Sequence, residues 1–172
     1  MSCINHYNSP LGEIGLASDG EALTGLWFAG QKRGGGRADG ECEERESPVF
    51  VRVKKWLDVY FSGREPEFKV PVRLEGTEFQ CEVWRLLAEI PYGETATYGA
   101  LAAAVAKRRG LARMSAQAAG GAVGRNPVAI LVPCHRVIGA DGSLVGYAGG
   151  LDKKLALLQL EACARPSRRS PR

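Results

Sequence analysis

Three helix-start signals follow one another between residues 77 and 115, and helix stops separate them. Thr77 opens the run Thr-Glu-Phe-Gln, whose first and last side chains can bond each other's backbone amides as a capping box. Thr97 and Ser115 are also residue types that accept hydrogen bonds at a helix start. The stops are Pro91-Tyr92-Gly93 and Gly110. This stretch is therefore predicted to form short helices that run up to residue 90, from 98 to 109 and from 116 to about 123.

The chain before these helices has a different pattern. Turn clusters at Ser9-Pro10-Leu11-Gly12 and Ser18-Asp19-Gly20-Glu21 divide residues 3–28 into stretches of alternating apolar side chains, which predict a small antiparallel meander. Residues 29–47 lack an apolar period and are predicted to be a flexible loop. A helix is then predicted from Pro48 to the stop at Ser62-Gly63.

The last part of the chain mixes a strand, loops and a helix. The apolar run Val128-Ala-Ile-Leu-Val132 ends at Pro133 and predicts a buried strand. A glycine-rich loop follows at Gly146-Tyr147-Ala148-Gly149-Gly150. Asp152 is predicted to cap a final helix. The apolar stripe of that helix is predicted to comprise Leu155, Leu158 and Ala162.

These elements predict an α/β protein of two units. Residues 1–75 form a small N-terminal unit of antiparallel sheet plus helix, and residues 76–164 form a mostly helical unit. Within the second unit, helices 98–109 and 116–123 have the spacing of a helix-turn-helix. Residues 165–172 contain four arginines and no acid, and are predicted to be a disordered basic tail.

Positive charge is concentrated in one stretch of the second unit. The formal net charge is +4, and the tail arginines account for all of it. No acid lies between Glu94 and Asp141, whereas six basic residues do: Lys107, Arg108, Arg109, Arg113, Arg125 and Arg136. A local patch of this kind is typical of a nucleic-acid footprint, although a solvated surface face has the same composition.

The composition excludes several protein classes. The 45% hydrophobic and 24% charged residues are globular averages. No apolar run reaches the roughly 18–20 residues that span a bilayer, and the N-terminus lacks the basic and apolar regions of a secretory signal. The five cysteines are widely spaced and include no CxxC pair: Cys3, Cys42, Cys81, Cys134 and Cys163. We therefore expect a cytoplasmic protein without disulfides.

Pro133-Cys134-His135-Arg136 is the densest cluster of reactive residue types. Cysteine attacks as the thiolate, and only about 3% of an ordinary thiol is ionised at pH 7, so nearby positive charge from Arg125 and Arg136 would favour reaction. Neighbours in extended chain point to opposite sides, so a turn or a bridging water must join Cys134 to His135. Glu161 is expected to orient His135 in a nucleophile–base–orienter relay. The alternatives are a buried structural cysteine and an acid at an exposed helix end.

The helix predicted after Ser115 contains no bulky side chain in Ala-Gln-Ala-Ala-Gly-Gly-Ala. Each glycine inside a helix costs about 1 kcal/mol relative to alanine. The cost is acceptable where another surface must approach the backbone closely, and that surface could be a DNA groove wall or simply a packed helix.

These motifs resemble those of the O6-alkylguanine-DNA alkyltransferases, the methylated-DNA–protein-cysteine methyltransferases. The resemblance covers about residues 76–163 and is carried mainly by Pro133-Cys134-His135-Arg136-Val137-Ile138 and the preceding Gly124-Arg125-Asn126-Pro127. It implies a ribonuclease H-like N-terminal domain followed by a DNA-binding alkyltransferase domain. It also implies direct-reversal DNA repair by a monomer, in which the alkyl group of O6-methylguanine, with O4-methylthymine as a second candidate, stays on Cys134. Such a protein acts once and uses no cofactor.

The resemblance also implies individual roles. Cys134 would attack the alkyl carbon of the flipped base, His135 would take the thiol proton through water, and Glu161 would orient His135. Tyr98 would protonate the departing guanine, and Asn126 would brace the segment before the nucleophile. The implied pocket residues are Pro133, Val137, Tyr147, Ala148 and Gly149. The implied contacts to the minor groove of duplex DNA are Thr97, Tyr98, Ser115, Ala116, Gln117, Ala118, Gly121, Arg125 and Arg136.

Two departures from the family pattern lead to further expectations. Gln117 occupies the position where the family commonly has an arginine that fills the space of the flipped base. Glutamine lacks the charge and the stacking plane of guanidinium, which predicts weaker flipping or altered damage preference rather than inactivity. Some relatives bind zinc in the N-terminal domain, but Cys3 and His6 lack a second pair of ligands here, so no metal is predicted.

Three other functions compete with alkyl transfer. An alkylated-base recognition protein that flags damage without transfer would lack the nucleophile, and a helix-turn-helix regulator would need neither the cysteine motif nor Glu161. A Cys-His hydrolase would need an orienting motif of the protease type, which the sequence does not contain. The presence of Cys134 in its motif favours transfer.

Overall fold

A four-stranded sheet forms the first unit of the computed structural model, which describes residues 2–31 and 43–164. The antiparallel strands β1 (Cys3–Ser9), β2 (Gly12–Ser18) and β3 (Leu23–Phe28) confirm the predicted meander. A short strand, β4 (Glu43–Glu44), adds parallel to β1 and gives the order β3-β2-β1-β4. It was not predicted, because two exposed acids carry no strand pattern. Residues 32–42 of the predicted flexible loop and the predicted tail, residues 165–172, lie outside the described residues.

Helix α1 (Pro48–Phe61) packs against this sheet. Pro48 occupies the first turn and Ser62 follows the last turn, as predicted. The N-cap is Ser47, whose side chain accepts a hydrogen bond from the amide of Phe50. The buried side chains recur at helical spacing and are Val49, Phe50, Val53, Leu57 and Tyr60. Tyr60 is fully buried although it carries a hydroxyl group.

Three short helices begin the second unit, and the predicted caps are confirmed. They are α2 (Glu78–Ala88), α3 (Tyr98–Arg108) and α4 (Ala116–Val123), capped by Thr77, Thr97 and Ser115. The indole nitrogen of Trp84 donates to the carbonyl of Ala122 at 2.9 Å and so ties α4 to α2. A two-stranded parallel ribbon, β5 (Ala96–Thr97) with β6 (Val137–Ile138), links the start of α3 to the segment that carries the nucleophile.

The apolar run from residue 128 to 132 does not form the predicted strand. Val128 makes one parallel bridge to Leu26 of β3, after which Ile130 has a φ of +68° and the chain turns. The amide of Val132 donates to the carbonyl of Val128 at 3.1 Å, so the run folds back on itself. Apolar composition correctly predicted burial here, but backbone contacts with β3 determine the conformation.

The last helix, α5 (Leu151–Cys163), corrects two further predictions. It begins after Gly150, with no side-chain cap, and Asp152 lies within its first turn. Its buried face consists of Lys154, Leu157 and Glu161, whereas Leu155 is 44% exposed. The predicted stripe of Leu155, Leu158 and Ala162 was wrong, because partners elsewhere in the fold stabilise two buried charges on the neighbouring face.

One continuous core joins the two units. Leu26, Phe28 and Tyr60 of the first unit belong to the same buried cluster as Trp84 and Leu157 of the second. The observed mixture of an antiparallel sheet and a helical second unit confirms the predicted α/β class. Among the helices of the described ranges, none combines the length and the apolar character needed to cross a bilayer.

Candidate active site

Cys134, His135 and Arg136 form one turn of 3₁₀ helix directly before β6. The amide of Cys134 donates to the carbonyl of Val132 at 2.8 Å, and the amide of Arg136 donates to the carbonyl of Pro133 at 3.0 Å. The turn does not join the two side chains directly, since Nδ1 of His135 has no hydrogen-bond partner among the described residues. Cys134 is 8% exposed and His135 is fully buried, so a reactant must enter the protein surface to meet the thiol.

A pocket of about 160 Å³ includes Cys134 in its wall. Tyr147, Ala148 and Gly149 line it, as expected from the resemblance, but Pro133 and Val137 do not. The other lining residues are Gln31, Tyr98, Gly120, Val123, Gly124, Asn126 and Gly146. Because much of this wall is glycine and alanine, the backbone can approach a flat ligand closely.

The carboxylate of Glu161 is 1% exposed and accepts four hydrogen bonds. Oε1 accepts from Arg136 Nε at 2.7 Å and from the amide of Gly93 at 3.1 Å. Oε2 accepts from the hydroxyl of Tyr60 at 2.7 Å and from Nε2 of His135. A carboxylate can only accept, so Nε2 carries the hydrogen and the lone pair of His135 lies on Nδ1.

Burial dominates the protonation states of the reactive pair. Burial raises the pKa of the Cys134 thiol above its ordinary 9.0, although a hydrogen bond from Asn126 and the charge of Lys154 act in the opposite direction. Burial also lowers the pKa of His135 below 6.5, despite its bond to Glu161. The resting site therefore holds a neutral thiol and a neutral imidazole.

A positive charge does favour the thiolate, as expected, but burial outweighs it. The positive charge that acts on Cys134 comes from Lys154 rather than from Arg125 or Arg136. Burial alone would raise the pKa of Glu161, but the hydrogen bonds from His135 and Arg136 lower it to about 2. Glu161 is therefore ionised at neutral pH, and the thiol needs a base to lose its proton.

Asn126 braces the turn that precedes the nucleophile. Its side-chain nitrogen donates to the carbonyl of Val132 at 2.8 Å, and its side-chain oxygen accepts from the amide of Val128 at 3.0 Å. The two bonds span the folded-back run, and the Asn126 side chain lies close enough to Cys134 to lower the pKa of its thiol. Asn126 is therefore placed to position the sulfur.

Tyr98 and Lys154 hold the loop that closes the pocket. The hydroxyl of Tyr98 donates to the carbonyl of Val145 at 2.9 Å, and Nζ of Lys154 donates to the same carbonyl at 3.0 Å and to that of Gly146 at 3.4 Å. Burial and the neighbouring Cys134 raise the pKa of Tyr98, so its hydroxyl remains a proton donor. The buried hydroxyl of Tyr147 has no hydrogen-bond partner among the described residues.

The surface next to the pocket contains most of the expected DNA contacts. Two of them, Thr97 and Tyr98, are partly exposed. Six are exposed: Ser115, Ala116, Gln117, Ala118, Gly121 and Arg125. Arg136 does not belong to this surface: it is 8% exposed, and its Nη1 donates to the carbonyl of Ile90 at 2.7 Å. The expectation of a DNA contact from Arg136 was wrong, because Glu161 binds its charge inside the protein.

Several groups of this site were missed in the sequence. Those of the relay and its surroundings are Tyr60, Lys154 and the amide of Gly93, and those of the pocket wall are Gln31, Gly120, Val123, Gly124 and Gly146. In the sequence, the helical spacing of Tyr60 does not distinguish it from the other core residues of α1. A signal did exist for Lys154, since it lies two turns before Glu161 on the same helix face.

The cysteines and acids form no metal cluster in the part of the chain that the structure describes, where no three His, Cys, Asp or Glu side chains meet. Cys3, Cys81, Cys134 and Cys163 are free thiols. Cys42 lies outside the described residues.

A buried cysteine and a buried histidine–glutamate pair lie next to a helix pair with an exposed face, an arrangement typical of a group-transfer protein that binds nucleic acid. Residues 78–163 match the family described as 6-O-methylguanine DNA methyltransferase, DNA binding domain. Residues 4–74 match the ribonuclease-like domain of the same family. The chain belongs to the 6-O-methylguanine DNA methyltransferase family, which confirms the resemblance found in the sequence.

Relatives with this architecture align along nearly the whole chain. The methylated-DNA–protein-cysteine methyltransferase of Mycobacterium leprae is 46% identical, with 90% of this chain and 88% of the relative covered. The protein of the same name from Methanosarcina acetivorans is also 46% identical, with coverages of 90% and 95%. A crystal structure of Mycobacterium tuberculosis OGT in complex with DNA superposes with a TM-score of 0.79 at 41% identity and covers 95% of each chain.

Proposed function

We propose that this protein repairs O6-alkylguanine in duplex DNA by moving the alkyl group irreversibly to Cys134. Direct-reversal repair by a DNA-binding methyltransferase is the function of the family to which the chain belongs. The observation that carries the assignment of the nucleophile is Cys134 in the pocket wall, next in sequence to a neutral His135 that Glu161 orients. In this proposal residues 76–164 bind DNA and carry out transfer, and residues 1–75 support the relay.

The chemical step replaces the bond between the alkyl carbon and O6 by a bond between that carbon and sulfur. Its net effect also moves one proton from the thiol to the purine. The thiol proton passes to Nδ1 of His135 through a water molecule, and the sulfur attacks the alkyl carbon as the bond from that carbon to O6 breaks. The electron pair of that bond goes to the purine, and the neutral hydroxyl of Tyr98 donates a proton to it. His135 later returns a proton to Tyr98. The products are an S-alkylcysteine and an unmodified guanine, so each molecule reacts once.

The helix pair α3–α4 is the proposed DNA-binding element, with α4 in the minor groove. The first turn of α4 is exposed and has only small side chains apart from Gln117, which allows close approach to the groove wall. The positive charge that the basic stretch offers to DNA is smaller than its composition indicates, since Arg108 pairs with Glu89 at 2.7 Å and Arg109 with Glu82 at 3.3 Å. We therefore expect modest, salt-sensitive affinity of the monomer for undamaged DNA.

Mass spectrometry of the intact protein tests the transfer. Incubation with an excess of duplex containing O6-methylguanine should add the mass of one methyl group to every molecule, and fragmentation should place it on Cys134. The Cys134→Ser variant should bind the duplex and gain nothing. A wild-type protein that binds the damaged duplex but keeps its mass would support the alternative, a recognition protein without transfer.

Replacement of the exposed Gln117 by arginine should accelerate repair. A guanidinium at this position adds a fixed charge and a stacking plane, so the rate of methyl transfer from duplex DNA should rise by roughly fivefold. Single-turnover kinetics at low protein concentration measure this rate. Gln159→Arg makes the same charge change on the exposed side of α5 and should leave the rate near wild type. Equal acceleration by both variants would mean that added charge alone is responsible.

A further inference from the structure

Tyr60 brings a hydrogen bond from the N-terminal unit into the catalytic relay. It lies on α1, is fully buried, and donates its hydroxyl to Glu161 Oε2 at 2.7 Å. The same carboxylate oxygen accepts Nε2–H of His135. Glu161 is separated from Tyr60 by 101 positions in the chain, so this contact exists only when the two units are packed together.

The ring of Tyr60 is held on several sides. Trp56 stacks on it at 5.4 Å between ring centroids, while Phe61 and Tyr92 meet it edge to face at 5.3 Å and 6.1 Å. The guanidinium of Arg136 lies over the ring of Tyr92 at 5.6 Å. Because side chains packed in this way keep one rotamer, the hydroxyl has a fixed position relative to Glu161.

Packing alone does not explain the hydroxyl. A phenylalanine ring would fill nearly the same space, and a buried hydroxyl is unfavourable unless it forms a hydrogen bond. Burial and the negative charge of Glu161 raise the pKa of Tyr60 well above 10, so the hydroxyl stays a neutral hydrogen-bond donor at neutral pH. The specific consequence of the tyrosine is therefore its bond to Oε2.

The charges around the relay determine what this bond does. Arg136 and the amide of Gly93 bind the other carboxylate oxygen, and Lys154 acts on His135 from α5. Tyr60 withdraws electron density from the one oxygen that faces His135. Without its hydrogen bond, Oε2 would attract the Nε2 proton more strongly, and the carboxylate could rotate about its remaining contacts.

We propose that Tyr60 is a positioning residue for alkyl transfer, whose hydroxyl fixes Glu161 Oε2 and limits how strongly this carboxylate acts on His135. The inference rests on the proposed function, because it assigns His135 as the base for Cys134. It gives the N-terminal unit a defined part in the chemistry, in addition to its share of the core.

The test compares Tyr60→Phe with a matched variant in the full-length chain. Tyr7→Phe also removes a hydroxyl–carboxylate bond of 2.7 Å to a residue of α1, but its acceptor is the exposed Asp58. Single-turnover methyl transfer is measured from pH 5 to pH 9. Tyr60→Phe should lower the plateau rate by roughly fivefold, and the fall of the rate on the acid side should move up by roughly half a pH unit. Tyr7→Phe should match wild type in both respects.

Proton NMR gives a second measurement that needs no DNA. The chain contains two histidines, His6 and His135, so the Nε2–H signal of the buried ring can be assigned. It should move downfield in Tyr60→Phe and stay in place in Tyr7→Phe. If Tyr60→Phe keeps both the wild-type pH profile and the wild-type signal, the proposal is overturned. If wild type itself acquires no methyl group, the proposed function fails, whatever the NMR signal does.

Discussion

Replacing Glu161 by glutamine should almost abolish alkyl transfer and also destabilise the fold. Glutamine keeps only one oxygen acceptor. When that oxygen faces the Arg136 guanidinium and the Gly93 amide, the NH2 group of glutamine faces the donors of His135 and Tyr60. One buried guanidinium would then lack its counter-ion, which typically costs about 3–5 kcal/mol. His135 would also lose the acceptor that fixes its tautomer, so the transfer rate should fall by roughly 100-fold or more.

Chemical denaturation and single-turnover kinetics measure the two effects of this change. The matched control is Glu89→Gln, which makes the same substitution in the exposed pair with Arg108. Exposed ion pairs contribute only about 0–1 kcal/mol, so this control should unfold and react nearly as wild type does. Equal losses in the two variants would contradict a special role for the buried carboxylate.

The acid dependence of stability provides an independent check on Glu161. Its pKa is about 2 in the folded protein against an ordinary 4.5. A carboxyl group whose pKa is lower when folded stabilises the protein above the unfolded value, and this stabilisation is lost as the pH falls towards the folded value. Between pH 4.5 and pH 2 the free energy of unfolding of wild type should therefore fall more steeply than that of Glu161→Gln, which cannot titrate.

Local patterns in the sequence were sufficient to predict most of the elements. The caps at Thr77, Thr97 and Ser115 act through hydrogen bonds within a few residues, so the helix starts could be placed without knowledge of the fold. The meander is equally local, because its turns and alternating strands adjoin in the chain. Motif resemblance placed Cys134, His135 and Glu161 in one site, and the structure brings them together.

The errors at residues 128–132, on the buried face of α5 and at Arg136 concern partners that are distant in sequence. Val128 pairs with Leu26 of β3, and this contact turns an apolar run that would suit a strand. Arg136 was expected at the DNA surface because its acid, Glu161, lies 25 positions away on α5. A charge can enter the core only when such a partner meets it there, and a sequence pattern does not identify the partner.

Replacing Lys154 by methionine should slow alkyl transfer strongly while leaving the fold intact. Lys154 lowers the pKa of the Cys134 thiol and holds the carbonyls of Val145 and Gly146. Without this charge the buried thiolate forms less readily, so the transfer rate near pH 7 should fall by roughly 10- to 100-fold. Methionine fills similar space without the desolvation cost of a buried ammonium group, so the free energy of unfolding should change by about 1 kcal/mol or less.

The transfer rate at alkaline pH distinguishes two effects of this variant, the loss of the Lys154 charge and the loss of its hydrogen bonds to the loop carbonyls. If Lys154 acts mainly by stabilising the thiolate, the deficit of Lys154→Met should shrink once the pH rises through the pKa of the buried thiol, which lies above its ordinary 9.0. Lys153→Met removes the same charge from the neighbouring position, where the lysine lies 3.8 Å from the exposed Asp152, and should react like wild type. A deficit that stays constant up to high pH would assign the loss to the loop carbonyls. Equal slowing by both variants would instead mean that net charge, through DNA binding, limits the reaction.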